Sequence, residues 1–234
     1  MTPWVIASPS QFRPAGPPAL TSATYTTVFN ETKLTGSLTS PSRTSDQTVF
    51  SRFWNSSTAS YYWDQVAVSL GERHTSLSEN ARLLALVNVA MADAGIGCWE
   101  AKYHYVFWRP VTAIPLAATD ANPATIADPG WTPLLITPNF PEYPSGHSCV
   151  SSAAATVLED YFGDKSFSVT SDVMVGVVRF FASFSDALDE IKDARVFAGI
   201  HFRTACDDGQ ILGTQVANYV LGRLTERKRG EFHD

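Results

Sequence analysis

Apolar positions are densest in the middle of the chain. In SLSENARLLALVNVAMADAGIGCWEAKYHYVFWRP, residues 76–110, they recur at Leu83, Leu84, Leu86, Val87, Val89 and Ala90. That spacing predicts a helix apolar almost all round, and therefore central. Ser76 or Ser78 can cap its start, and Pro110 closes the segment and pushes Arg109 out of helical geometry. A second helix is expected over 146–161, a third from about Asp172 to Ala194, and a last from about His201 or Thr204 to Leu224, before the charged tail TERKRGEFHD. Residues 46–69 read as two short helices. Residues 1–45 are rich in Pro, Ser and Thr with little periodicity, which predicts an extended arm packed on the core. Residues 111–143 hold six of the fourteen prolines, so a long loop is expected there, of a length that usually serves function. No strand alternation of useful length and no repeat or linker is visible. The expectation is an all-α helical bundle: an arm over 1–45 and a single helical catalytic domain over 46–234.

Composition narrows the function. The 234 residues are 44% hydrophobic, enough for a sizeable core. A net charge of −6 argues against nucleic acid or an anionic membrane as partner. No apolar run approaches the roughly 20 residues that a membrane span needs. The opening MTPWVIASPSQFRP lacks the charged and apolar regions of a signal peptide. Cys98, Cys149 and Cys206 cannot all pair within one chain, and no zinc-type spacing exists. A soluble protein, cytoplasmic rather than secreted, is the expectation. His74, His104 and His233 suggest no role, and Cys149 reads as packing.

Three segments carry chemistry. Lys102 and Arg109, seven residues apart, fall about 20° apart on a helix face, among Tyr, His, Phe and Trp. Pro144-Ser145-Gly146-His147 reads as a helix start, whose free N–H groups suit an anion. Arg195 and His201 would lie about 120° apart on a regular helix, so they converge only if the chain breaks, and Gly199 is placed for that break. Singly, each has an ordinary structural explanation. Together, three cations, two neutral donors and two histidines are what a tetrahedral oxyanion passing through a five-coordinate state requires.

The order K-x6-RP, PSGH, R-x5-H resembles the superfamily of vanadium-dependent haloperoxidases and type 2 phosphatidic acid phosphatases. FRPAGPPAL, the 78–114 stretch and FPEYPSGHS resemble its soluble bacterial branch, and the likeness runs over essentially the whole chain. The resemblance implies the helical fold of that superfamily and a vanadate cofactor, whose site phosphate or sulfate can share. It makes His201 the ligand to vanadium, or the nucleophile toward phosphorus. It makes Lys102, Arg109, Ser145, Gly146 and Arg195 the oxyanion binders, with Lys102 also polarising bound peroxide. His147 becomes the acid–base, and Trp99 and Phe140 become the walls of a halide pocket. Relatives are longer at the N-terminus, so the chain resembles a C-terminal catalytic portion, and a homo-oligomer is one answer to what covers its core.

The chain also departs from the pattern. Ala194 stands where the family has serine, Ala205 where it has an acid, and Asn55 near where an acid should pair with Arg195. Asp207 or Asp208 is expected to orient the His201 imidazole instead, and Asp64 or Asp93 to serve Arg195. Three activities stay open. The first is a haloperoxidase acting on hydrogen peroxide, halide and a small organic substrate. The second is a metal-free acid phosphatase working on a phosphate ester through phosphohistidine. The third is a silent oxyanion-binding protein. Trp99 and Phe140 favour the first.

Overall fold

The computed structural model describes residues 1–225; the charged tail from residue 226 onward, with His233, lies outside the described residues. Three helices form its centre: α4 (Leu77–Tyr105), α6 (Gly146–Phe162) and α8 (Arg203–Thr225). Ser76 caps α4 in a capping box with Glu79. Around this triad stand α2 (Ser45–Phe53), α3 (Ala59–His74) and α7 (Phe184–Phe197), with one turn of helix, α5 (Pro110–Ala113), after α4. The fold is that of a helical bundle, as the apolar periodicity predicts.

Close approach of α6 and α8 sets the site. A Cβ on Gly213 would lie 2.0 Å from the Cys149 carbonyl, and one on Gly209 would lie 2.8 Å from that of Ser145. The facing side of α6 is small: Ser148, Cys149, Ser151, Ser152 and Ala153 are all buried. Two backbones in near contact fix where α6 begins relative to the chain just before α8. Cys98, Cys149 and Cys206 are free and buried in this packing.

Three expectations are corrected. The first 45 residues are not simply extended: Ser22 caps a 13-residue helix, α1 (Ala23–Thr35). Its Tyr25, Val28 and Phe29 pack with Ile114, Trp131 and Phe202 in a second core cluster. Those buried positions fall at i, i+3, i+4, so a helical stripe was present within the Ser/Thr-rich composition. The helix expected from Asp172 starts only at Phe184, and a small antiparallel hairpin, β1 (Phe167–Thr170) and β2 (Val178–Phe181), precedes it. Strands of four residues are too short to show an alternation. Finally, Leu77–Ala113 is long and apolar enough by length and composition to cross a membrane. Half of an 18-residue window within it is buried, as fits a central helix of a bundle.

Candidate active site

Five pieces of chain meet at one end of the bundle. α4 delivers Lys102 and then stops where Val106 takes a left-handed conformation, φ 48°. A β-branched residue there is strained, by roughly 1–3 kcal/mol. The break thus comes four residues before Pro110, and it turns Phe107, Trp108 and Arg109 back toward the core. The 140–144 segment follows, then the start of α6 with Ser145 as its cap. Arg195 lies in the last turn of α7. Gly199 at φ 73° ends that helix, and a Cβ there would sit 2.4 Å from the Gly36 carbonyl. His201 stands in the short link before α8. The break expected between Arg195 and His201 is therefore present, and it lets both line the same cavity of about 460 Å³, together with His147, Gly146, Trp99 and Phe140.

His201 is held at both nitrogens. Its Nδ1 is 2.9 Å from Glu142 Oε1, which also accepts from the Phe202 N–H at 2.9 Å. Its Nε2 is 3.0 Å from Arg109 Nη1. A guanidinium can only donate, so Nε2 carries the lone pair and Nδ1 the proton. Burial, then the nearby Arg109, Lys102 and Arg195, hold the imidazole well below its ordinary pKa, hence neutral. Burial raises the Glu142 carboxyl to about 7, against the pull of Arg109 and Lys102.

Positive charge is in excess. Burial lowers the pKa of Arg195 to about 10, with Arg109 adding repulsion, and it lowers Arg109 and Lys102 as well. Among the described residues, the Arg195 side chain hydrogen-bonds only to a neutral amide oxygen, Asn55 Oδ1 at 3.2 Å. Three cations against the one Glu142 carboxylate leave two uncompensated positive charges when all are ionised. Arg109 Nη2 and Arg195 Nε are buried and lack a hydrogen-bond partner among the described residues. Orphaned charged donors of this kind are costly, and they suit an anion with several acceptor oxygens. His147 Nε2 lies 2.9 Å from the Trp54 carbonyl, which must accept, so Nε2 bears the proton and Nδ1 is free to accept one. Burial and Arg195 keep this histidine neutral too.

Not every anticipated residue stands as expected. Lys102 is fully buried, and its ammonium donates to the carbonyls of Pro141, Glu142 and Pro144 at 3.0, 2.9 and 2.5 Å. All three N–H bonds brace the loop that carries Glu142. The Ser145 hydroxyl caps the Ser148 N–H at 3.5 Å rather than opening onto the cavity. Trp99 and Phe140 do meet, with ring centroids 5.3 Å apart, and Lys102 lies 5.8 and 5.2 Å from them. Asp208 accepts from the Tyr143 hydroxyl at 2.6 Å, and Asp207 faces Lys192 at 3.5 Å. Neither orients His201; Glu142 does. Asp64 accepts from the Asn88 amide, and Asp93 takes backbone N–H groups of residues 4–6, so neither serves Arg195. The signal for Glu142 was an acid two residues ahead of PSGH, in the apolar and proline-rich stretch FPEYP.

A tetrahedral oxyanion such as vanadate fits this set: a neutral imidazole nitrogen, two unpartnered guanidinium donors and net positive charge. Comparison with known proteins agrees. Residues 82–230 match the family described as the second helical-bundle domain of VCPO. The vanadium chloroperoxidase of Curvularia inaequalis is 26% identical over 182 residues, 57% of this chain and 29% of that protein. The crystal structure of the first bacterial vanadium-dependent iodoperoxidase aligns with a TM-score of 0.81 at 33% identity, over 94% of this chain and 55% of the other. That of a holo-type bacterial vanadium-dependent chloroperoxidase aligns at 0.74 and 18% identity, which speaks for the fold alone, over 98% and 54%. The chain thus spans about half the length of the solved chains it matches and under a third of the curated relative. By this likeness of sequence and fold, the chain belongs to the vanadium-dependent haloperoxidase family.

Proposed function

We propose that the chain holds vanadate at His201 and oxidises halide with hydrogen peroxide. One observation carries the reading. His201 and Arg195 line one cavity, and Arg109, bonded to the unprotonated His201 Nε2, carries like Arg195 a buried guanidinium nitrogen without a partner among the described residues, Nη2 and Nε respectively. Bound there, vanadate supplies Lewis acidity without changing its oxidation state. The chain's own residues do the rest. Glu142 keeps the His201 proton on Nδ1, so that Nε2 keeps its lone pair, which becomes a ligand once Arg109 Nη1 releases it. Arg109, Arg195 and the N–H groups at the start of α6 hold oxyanion oxygens, and Lys102 joins them only by releasing one of its carbonyls. His147, neutral with Nδ1 free, takes a proton from incoming peroxide. Trp99 and Phe140 form an apolar wall where a halide sheds water. Phosphate or sulfate competes for the same donors.

An acid phosphatase would use the same residues but needs a protonated His147 to release the alcohol. Burial and Arg195 hold His147 in the neutral form that the base role needs. The test is reconstitution with vanadate, then peroxide and bromide, following bromination of a phenol dye. Turnover that depends on vanadate is expected. Cleavage of p-nitrophenyl phosphate that vanadate inhibits, with no bromination, would overturn the reading.

A further inference from the structure

The cavity that holds His201 is lined along α4 by Asn88, Met91, Ala92 and Trp99. Met91 comes 11 residues before Lys102, about three helical turns, so the two share a face of α4. It is 4% exposed and belongs to the main apolar core cluster. Among the described residues it is the only sulfur side chain that lines this cavity. Cys98, Cys149 and Cys206 are free, but they are buried outside that lining. Met174 lies elsewhere, partly buried in the link between β1 and β2, and Met1 is 99% exposed.

Exposure and position therefore rank the three methionines in opposite orders. An oxidant arriving from bulk water meets Met1 and Met174 before Met91. An oxidant formed beside His201 meets Met91 first, without leaving the cavity. Trp99, His147 and His201 also line the wall. Toward electrophilic halogen a thioether is the stronger nucleophile, because sulfur is soft and polarisable.

We infer that Met91 is a modification site: its thioether intercepts hypohalous acid formed in the cavity and becomes the sulfoxide. The inference rests on the peroxidase reading, which supplies the oxidant. Sulfur gives two electrons to the halogen of the acid, which leaves as halide. The oxygen ends on sulfur, and the proton goes to water. Halide is thus regenerated, and hydrogen peroxide is the net oxidant. The product sets a polar S=O group in the apolar cluster that Met91 belongs to, so turnover falls as sulfoxide accumulates.

The test runs the vanadate-loaded full chain with peroxide and bromide, reading turnover as bromide-dependent peroxide consumption. Excess free methionine traps whatever hypobromous acid escapes, and peptide mass spectrometry follows each methionine. The Met91 peptide should gain about 16 Da in step with turnover, while those of Met174 and Met1 stay unmodified. Met91→Leu, which nearly conserves volume, should keep the initial rate and lose its progressive decline. Met174→Leu should leave both as they are. Three results overturn the inference: Met91 unmodified through turnover, protection of all three by free methionine, or equal oxidation of Met91 by peroxide without bromide. A loaded chain that consumes no peroxide with bromide sinks the peroxidase reading as well, whereas bromide turnover with Met91 intact sinks this inference alone.

Discussion

Four arginines of this protein fall into two pairs with opposite surroundings. Arg203 lies between Glu31 and Asp193, at 2.7 and 2.5 Å, and Arg179 lies between Asp46 and Glu190. Burial alone would lower both pKa values, but the paired carboxylates more than reverse that, and both rise. Arg109 and Arg195 are more deeply buried, have no carboxylate in hydrogen-bond contact, and fall. The first pair is compensated and fastens the fold, with Arg179 and Trp54 sharing Glu190 behind the site. The second is left uncompensated and holds a cavity ready for negative charge. On the proposed function, the same side chain serves structure where its partner is in the chain, and binding where its partner must arrive.

The sharpest break of this comparison is His201→Ala. Vanadate binding by equilibrium dialysis is expected to weaken by about 1,000-fold or more, on the order of 4 kcal/mol, because the imidazole nitrogen proposed as its ligand is gone. Affinity unchanged within a few-fold would move the site elsewhere.

Next comes the one buried carboxylate of the cradle. The folded state raises Glu142 from 4.5 to about 7, so it holds the proton more tightly than the unfolded chain does. The stability cost of ionising it is absent below pH 4.5 and grows as pH rises to about 7, reaching about 3 kcal/mol. Glu142→Gln removes that titration. Its unfolding midpoint should match the wild type near pH 4.5 and exceed it by pH 8. A difference independent of pH would show that Glu142 is not the titrating group.

The two arginine classes should then part company. Arg195→Ala is expected to weaken vanadate binding by about 30-fold while leaving thermal stability unchanged or improved, since a poorly paired buried charge is removed. Arg203→Ala should do the reverse, costing about 1 kcal/mol and a few degrees of midpoint at unaltered vanadate affinity. Equal effects of the two on binding would erase the distinction. The smallest change sharpens it: Asn55→Asp offers Arg195 the carboxylate it lacks. Vanadate affinity should fall about fivefold while the apo protein gains stability, both readable in one thermal-shift series with and without vanadate.

Much of this was legible in the residues. Period predicts α4, α6 and α8, and Ser caps mark the starts of α4 and α6, because apolar spacing and a cap leave local marks that need no neighbour. Gly199 announces the break between Arg195 and His201 for the same reason. What tertiary contact decided left no local mark. α1 is stable because Tyr25 and Phe29 find Ile114 and Phe202 across the chain. The β1–β2 hairpin is four residues a side and stands on the packing of Phe167, Val169 and Phe181. Charge pairing is also set in space. Spacing nominated Asp207 and Asp208 for His201, yet one turned to Lys192 and the other to Tyr143. The carboxylate that reached the imidazole came from 59 residues away. The sequence by itself determined which groups carry charge and where helices start and stop, since both are properties of a residue and its near neighbours. Only the folded chain decided which cations keep a partner, because a hydrogen bond is made or lost over an ångström, and that distance is set by how helices pack.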